Sequence, residues 1–315
     1  MDDQETVLMD EDFETADFTL ESSETTEPGT LYIVATPIGN SKDMSSRGIR
    51  ILSECDMIAA EDTRRSMILL NKLGIRNRLV SNHKFNEYGK AKYFISELKN
   101  GKSIAVITDA GTPCISDPGN ELIRAAVAEG IRVVGIPGCC AAVNALSISG
   151  FDLSSFLFYG FFPRENAERK KLLEKMRRSD TKTFAFYESP KRIMNLVEFF
   201  TETEADIQLC LCNDMTKLHE MTFRGTPEEV KEQLLSKGNY DKGEYAVIIE
   251  VQDAYRFTKT EHTVSPEALL VETMVANGLT STKDAVNTLL ADPNNSYSKN
   301  ELKAAALNMK KILNI

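Results

Sequence analysis

The stretch that decides the fold is SIAVI at 103–107, followed by TDAGTPCISDPG at 108–119 and NELIRAAVA at 120–128. An apolar β-branched run, a loop containing glycine and proline, and a helical pattern predict strand, loop and helix. In a parallel α/β sheet such a loop lies at the carboxyl end of a strand, where ligands bind. Loops in these positions usually have about 2–6 residues, so a loop of this length indicates a function beyond connection.

The same alternation continues on both sides of this stretch. Apolar runs at 31–35, 56–60, 78–81 and 131–136 are each followed by a helical pattern. Helices between successive strands are typical of a parallel sheet that is covered on both faces. We therefore expect an N-terminal α/β domain with a parallel sheet over residues 29–150.

A second α/β domain is predicted over residues 151–254. Strand patterns at 156–160 and 183–187 flank a basic helical pattern at 167–178. Later strand patterns follow one another without a helix between each pair, which favours a mixed sheet. The basic helix has two interpretations, a solvated surface or part of a track for RNA.

The two ends of the chain differ in composition from its centre. Residues 255–315 contain helical patterns alone, so we expect a small helical appendage there. Residues 1–28 contain eleven acidic residues and no lysine or arginine, which predicts a disordered acidic tail. The rest of the chain has 36 acidic and 37 basic residues, so the net charge of −10 does not exclude a nucleic-acid partner.

The composition excludes several classes of protein. The 315 residues are 42% hydrophobic and 27% charged, and they contain no long apolar stretch or signal peptide, so we expect a soluble cytoplasmic protein without a membrane span. The six cysteines and three histidines lack the spacing of metal ligands, so we expect reduced thiols and no metal. Neither a dinucleotide-binding G-x-G-x-x-G nor a phosphate-binding P-loop is present.

Several loops combine small residues with charges. In the first domain they are TPIGN at 36–40, EDTRR at 61–65, the loop at 108–119, and PGCCAA at 137–142. In the second domain they are YESPKR at 187–192, TKLHE at 216–220 and KGE at 242–244. One such loop alone is typical of a turn or a surface ion pair. Four at one sheet edge favour a ligand site, and arginine or lysine beside tyrosine suits RNA phosphates and bases.

With these motifs in this order, residues 30–252 resemble the bacterial 16S ribosomal RNA cytidine 2′-O-methyltransferases, a family of the tetrapyrrole methylase-like superfamily of class III methyltransferases. The resemblance implies two α/β domains, with S-adenosylmethionine in the cleft between them, and a homodimer. It also implies methylation of a cytidine ribose in the decoding region of the small ribosomal subunit.

The resemblance further implies which residues contact the cofactor. They are Ile38, Gly39, Asp109, Ala110, Gly111, Ile115, Cys140, Ala141, Tyr187, Glu188, Tyr245 and Ala246. Asp117, in the same loop as Asp109, is expected to brace that loop through backbone amides.

Methyl transfer to a ribose requires that the 2′-hydroxyl lose a proton, so a general base is expected. The candidates are Asp62, Glu188 and His83. Each also has a structural interpretation: an ion pair to Arg64, a bond to the cofactor, or packing under a loop. The cations expected to bind RNA phosphates are Arg64, Arg65, Lys191, Arg192 and Lys217.

Two alternative functions remain open at this stage. The wider superfamily suggests methylation of a tetrapyrrole such as a uroporphyrinogen or a precorrin. A non-catalytic RNA-binding protein that keeps the same fold is the other alternative. The EDTR and YESP motifs resemble the RNA-modifying branch and favour the RNA methyltransferase.

Overall fold

The structure is a computed structural model that describes residues 25–82, 87–203, 205–252, 264–292 and 297–313. The chain divides into two compact units, residues 1–252 and residues 253–315. In its described residues, the first unit contains two five-stranded sheets.

The first sheet is wholly parallel, as the sequence predicts. Its strands are β1 (Thr30–Val34), β2 (Met57–Ala60), β3 (Leu79–Ser81), β4 (Ile104–Ile107) and β5 (Arg132–Ile136). They lie in the order β3-β2-β4-β1-β5, and every neighbouring pair is parallel. Strands β2 and β4 are buried along their whole length, which explains why they form continuous apolar runs rather than alternating ones.

Helices cover both faces of this sheet. They are α1 (Ser46–Glu54), α2 (Thr63–Lys72), α3 (Glu87–Lys99) and α4 (Asn120–Ala128). Leu52 of α1 and Leu70 of α2 belong to the core on one face. Phe94 of α3 and Leu122 of α4 belong to the core on the other.

The neighbouring strands β1 and β4 are therefore followed by helices on opposite faces of the sheet. Loops that diverge in this way open a crevice at the carboxyl ends of the strands, where open α/β sheets bind ligands. The two loops are joined at the crevice: Thr36 N donates to Gly111 O at 2.9 Å, and Gly111 N donates to Thr36 O at 3.0 Å. Gly111 has a φ of +81°, a backbone conformation that glycine adopts more readily than any other residue.

The second sheet is mixed. Its strands are β6 (Phe156–Phe161), β7 (Thr183–Glu188), β8 (Ile207–Asn213), β9 (Met221–Gly225) and β10 (Tyr245–Val251). They lie in the order β6-β7-β10-β8-β9, and β6 and β7 are parallel while the other neighbours are antiparallel. A parallel sheet followed by a mixed sheet confirms the predicted fold class.

Four helices accompany the second sheet: α5 (Ala141–Ser147), α6 (Asn166–Arg177), α7 (Ile193–Glu202) and α8 (Pro227–Lys237). Helix α5 follows β5 and packs Ala145 and Leu146 against Ile248 and other residues on one face of the sheet. Helix α8 begins with a complete capping box, in which Thr226 and Glu229 satisfy each other's backbone N–H groups. Helix α7 is not among the helices that the sequence patterns above predict.

The second unit is helical in its described residues. Helices α9 (Pro266–Ala276), α10 (Thr282–Ala291) and α11 (Lys299–Leu313) share an apolar core that includes Leu270, Leu289 and Leu302. The helical character predicted for this segment is confirmed, whereas the exact domain boundaries stay predictions. Across the described residues, no helix combines the length and apolar character needed to cross a membrane.

Candidate active site

A cavity of about 290 Å³ lies where the loops of the first sheet face the second sheet. Its walls come from the loops after β1, β4, β5 and β8, and from the ends of β6, β7 and β10. Ten of the twelve residues predicted to contact the cofactor line it: Ile38, Ala110, Gly111, Ile115, Cys140, Ala141, Tyr187, Glu188, Tyr245 and Ala246. These residues are far apart in the sequence, and the fold brings them around one space.

The other two predicted cofactor residues lie outside the lining. Gly39 packs against the loop after β8, where an added Cβ would lie 3.0 Å from Met215 O. The Asp109 carboxylate turns toward α2 and pairs with Arg65, with 3.0 Å between Oδ2 and Nη1. Both residues hold the walls of the cavity in place.

Hydrogen bonds tie the walls together. Thr112 Oγ1 donates to Cys139 O at 2.9 Å and joins the loops after β4 and β5. Ala142 N donates to the Tyr187 hydroxyl at 3.2 Å and joins α5 to the second sheet. Burial raises the pKa of Tyr187 to about 12, so the phenol stays neutral at physiological pH.

Eight lining residues are absent from the predicted set: Thr112, Ser116, Asp117, Phe161, Ser189, Pro190, Met215 and Glu244. Asp117 was expected to brace its loop through backbone amides. In the structure it lines the cavity, and the nearby Thr108 side chain lowers the pKa of its carboxyl group. Burial and the nearby Asp109 raise the pKa of Asp117.

Carboxylates gather beside the cavity at the ends of β2 and β4. Burial raises the pKa of Glu61, and the negative charges of Asp117 and Asp109 raise it further. Arg65 partly offsets this repulsion through its pairing with Asp109. Among the residues that the structure describes, no three histidine, cysteine or acidic side chains are grouped so as to hold a metal ion.

Glu188 is the candidate base that lies at the cavity. Its side chain is 2% exposed at the end of β7. One carboxylate oxygen, Oε1, accepts hydrogen bonds from Ser189 N at 2.5 Å and Arg192 Nε at 2.8 Å. The other oxygen, Oε2, is buried and has no hydrogen-bond partner among the described residues, and burial raises the pKa of the carboxyl group.

Asp62 is placed differently. It caps the N-terminus of α2, where Oδ1 accepts from Arg64 N at 2.9 Å and Oδ2 from Arg64 Nη2 at 2.8 Å. Hydrogen bonds from the Arg64 side chain and backbone lower the pKa of Asp62 to about 2. Asp62 does not line the cavity. The third candidate, His83, lies outside the described residues.

The predicted RNA-binding cations have different surroundings. Arg64 and Arg65 have exposed side chains that pair with Asp62 and Asp109. Lys217 Nζ lies 2.8 Å from Asp214 Oδ1 and 2.7 Å from Glu244 Oε2.

The remaining two cations are neighbours in the chain. The Arg192 guanidinium pairs with Glu188, a residue of the cavity wall, and donates to Phe162 O at 3.2 Å. Lys191 is exposed on the surface. Exposed cations can meet phosphates without breaking an ion pair in the wall.

Comparisons with known proteins agree with this architecture. The family model of tetrapyrrole (corrin/porphyrin) methylases matches residues 30–231. The chain is 43% identical over 224 residues to the ribosomal RNA small subunit methyltransferase I of Halalkalibacterium halodurans, covering 71% of this chain and 76% of that protein. It is 40% identical over 258 residues to the protein of the same name from Haemophilus influenzae, covering 82% of this chain and 90% of that protein.

Solved structures show the same fold at low sequence identity. The structure of a diphthine synthase superposes with a TM-score of 0.53 at 13% identity and covers 70% of this chain and 90% of that one. The structure of a cobalt precorrin-4 methyltransferase from cobalamin biosynthesis superposes with a TM-score of 0.51 at 16% identity. It covers 71% of this chain and 95% of that one.

Fold and site together define a methylase of the tetrapyrrole methylase type. The chain belongs to this family and, within it, to the group of ribosomal RNA small subunit methyltransferase I proteins. This membership confirms the predicted family and the methyltransferase class. It also confirms the predicted cofactor, S-adenosylmethionine.

Proposed function

We propose that this protein transfers the methyl group of S-adenosylmethionine to the 2′-oxygen of a cytidine ribose in 16S ribosomal RNA. The observation that carries the proposal is the convergence of ten motif residues around one cavity at the crevice between β1 and β4. The names of the relatives support a small-subunit RNA as the substrate. The motifs that resemble cytidine 2′-O-methyltransferases support the ribose of a cytidine as the acceptor.

The lining of the cavity fits the proposed cofactor. Ile38, Met215 and Ala246 supply apolar surface for an adenine ring and the methylene groups of the methionine chain, and Asp117 and Glu244 supply carboxylates for hydroxyl or ammonium groups. The volume of about 290 Å³ is just below the usual range for small-molecule sites, about 300–1,000 Å³. When bound, S-adenosylmethionine supplies a methyl group that is already electrophilic.

The protein then has two tasks. The first is to hold the ribose 2′-oxygen in line with the methyl group and to exclude water, and such positioning can remove about 7–11 kcal/mol of the barrier. The second is to accept the hydroxyl proton. Glu188 is best placed for this task because it lines the cavity, and because Oε1 is fixed by Ser189 and Arg192 while Oε2 has no hydrogen-bond partner in the described part of the chain.

The environments of the two described candidates favour Glu188 over Asp62 as the base. A raised pKa makes the Glu188 carboxylate a better proton acceptor, whereas the Asp62 carboxylate, with a pKa of about 2, is a weak one. A general base typically contributes about 10²–10⁴-fold to the rate. In this proposal, Arg64, Arg65 and Lys191 contact RNA phosphates outside the cavity.

We also propose that the protein acts as a homodimer in the cytoplasm. Strand β6 is an edge strand of the second sheet, and its residues Phe156 and Leu157 are 45% and 39% exposed. Exposed apolar side chains on an unpaired edge support contact with a second copy of the chain.

Nucleoside analysis of 16S RNA tests this function. In a strain that lacks the gene, mass spectrometry of digested 16S RNA should show the loss of one 2′-O-methylcytidine. Incubation of its small subunits with the protein and S-adenosylmethionine should restore that nucleoside. An unchanged nucleoside profile, or a methyl group on a base, would contradict the proposal, and methylation of a uroporphyrinogen instead would favour the tetrapyrrole alternative.

A further inference from the structure

We propose that Phe161 is a stacking platform for a nucleobase of the RNA substrate at the mouth of the cavity. The inference rests on the proposed function, because it requires an RNA substrate. Phe161 is the last residue of β6, and it is 59% exposed although it also lines the cavity. An aromatic ring that borders a ligand cavity and remains open to solvent offers a face to a planar partner.

A local irregularity in β6 directs this ring to the cavity. Phe158 pairs with Ala185 and Phe161 with Tyr187, so the register of β6 shifts by one residue between them. The extra residue is accommodated at Gly160, whose φ is +75°. As a result, Phe158 and Phe161 both contact the Tyr187 ring edge-on, with centroids 5.1 and 6.1 Å away. In a regular strand the two rings would point to opposite faces.

The loop after β4 adds an aliphatic side chain to the same cavity. Ile115, in the loop after β4, lines the same cavity and is 48% exposed. The loop after β4 approaches the end of β6 here, since a Cβ on Gly160 would lie 4.0 Å from Ser116 Oγ. An aromatic ring and a branched aliphatic chain at the same cavity offer surfaces that suit a flat base.

Exposed cations close to cavity-lining residues in the chain favour RNA as the occupant. Arg164 follows Phe161 closely in the chain, Lys191 follows Pro190, which also lines the cavity, and both cations are exposed. Cations beside an exposed aromatic ring are the combination with which proteins bind the phosphates and bases of single-stranded RNA. If a second copy of the chain occupied this site through apolar contacts, the cations would not be needed.

The absence of tryptophan from the chain makes a direct test possible. In a Phe161→Trp variant, the only tryptophan lies at the proposed stacking site. With S-adenosylmethionine at a saturating concentration throughout, its emission should be quenched when the RNA hexacytidylate is added. Leu235→Trp is the matched control and should not respond, because Leu235 is 56% exposed on α8 and does not line the cavity. If the tryptophan of the Phe161→Trp variant does not respond to hexacytidylate, or responds no more than the control, the proposal is overturned.

Kinetic measurements on a second variant test the same proposal. Phe161→Ala should raise KM for unmodified small subunits roughly 5- to 150-fold, the effect expected from the loss of one stacked base. KM is measured with S-adenosylmethionine at saturation, the oligomeric state should be that of the wild type, and Phe161→Tyr should restore KM. An unchanged KM, a KM that Phe161→Tyr does not restore, or a dissociated dimer would each overturn the inference.

The two proposals can fail separately. If the wild type methylates no RNA, the proposed function fails whatever the fluorescence of the Phe161→Trp variant does. If the wild type methylates 16S RNA while Phe161→Ala keeps its KM, the function stands and the stacking role fails.

Discussion

Gly39 and Thr216 are in close contact where the loop after β1 meets the loop after β8. A Cβ added to Gly39 would lie 2.8 Å from Thr216 Oγ1 and 2.6 Å from Lys217 Cγ. Thr216 has a φ of +66°, which β-branched residues rarely adopt. Ile38 and Met215, the chain neighbours of these two residues, both line the cavity, so the contact sets the width of the cavity at this point.

Gly39→Ala is therefore expected to weaken cofactor binding. The methyl group would force the loop at 215–217 to move, and overpacking of this kind typically costs about 1–3 kcal/mol of stability. Calorimetry with S-adenosylmethionine and urea unfolding measure the two effects. Gly135→Ala is the control, because a Cβ there meets no atom within 4 Å. Equal affinity and stability in Gly39→Ala and the control would show that the contact does not shape the site.

Glu188→Gln tests the proposed base. The amide cannot accept the proton, so kcat should fall by about 10²–10⁴-fold. Because burial raises the pKa of Glu188, and because only the ionised form is a base, wild-type kcat should rise with pH through a value above the ordinary glutamate range. The measurement is the pH profile of kcat, which should show this rise for the wild type and not for the variant.

A matched glutamate separates the chemistry from the loss of an ion pair. Glu198→Gln removes a carboxylate that pairs with Lys231 on the surface, away from the cavity, and should keep the wild-type profile. If Glu188→Gln binds cofactor normally and keeps kcat and its pH dependence, Glu188 is not the base.

Asp62→Asn is expected to methylate at the wild-type rate. Asparagine is also a good N-cap, so helix α2 keeps its start, and a carboxylate with a pKa of about 2 contributes little as a base. Initial rates at neutral pH provide the measurement. A large loss of kcat with normal cofactor affinity would make Asp62 the base in place of Glu188.

The salt dependence of RNA binding distinguishes two lysines that the sequence places in the same role. Lys191 is exposed, so Lys191→Met should reduce the slope of log affinity against log salt by about 0.7–0.9, the value for one phosphate contact. Lys217 is held by Asp214 and Glu244, so Lys217→Met should leave that slope unchanged and weaken cofactor binding. The reverse pattern would assign the phosphate contact to Lys217.

The sequence could predict much of the site because its loops follow a local rule. Each apolar run marks a strand, and the carboxyl ends of parallel strands meet at one edge, so the loops after β1, β4 and β5 had to converge. The resemblance supplied the partners from the second sheet, such as Tyr187 and Ala246. Side-chain directions within those loops were less predictable. Asp109 and Asp117 are both acids in one loop, yet Asp109 turns to Arg65 and Asp117 lines the cavity.

The residues that were missed depend on contacts that no local pattern encodes. Phe161 lines the cavity because of a one-residue register shift in β6. Met215 lines it because Asp214 and Thr216, its neighbours on both sides, have positive φ values and turn the backbone. Lys217 and Glu244 meet only because the loops after β8 and before β10 are adjacent in the sheet. The glycine at 160 was the one sequence signal for an irregular strand.

The central claim is that the cavity between the two sheets holds the methyl donor, and calorimetry with Ala110→Phe tests it most directly. Ala110 is an exposed alanine that lines the cavity, so a phenyl ring there fills the space without disturbing the core. The exposed Ala128, at the end of α4 and away from the cavity, provides the Ala128→Phe control. The wild type and the control should bind S-adenosylmethionine with the same affinity. Ala110→Phe should remain folded and show no binding. Wild-type affinity in a folded Ala110→Phe protein would contradict the account.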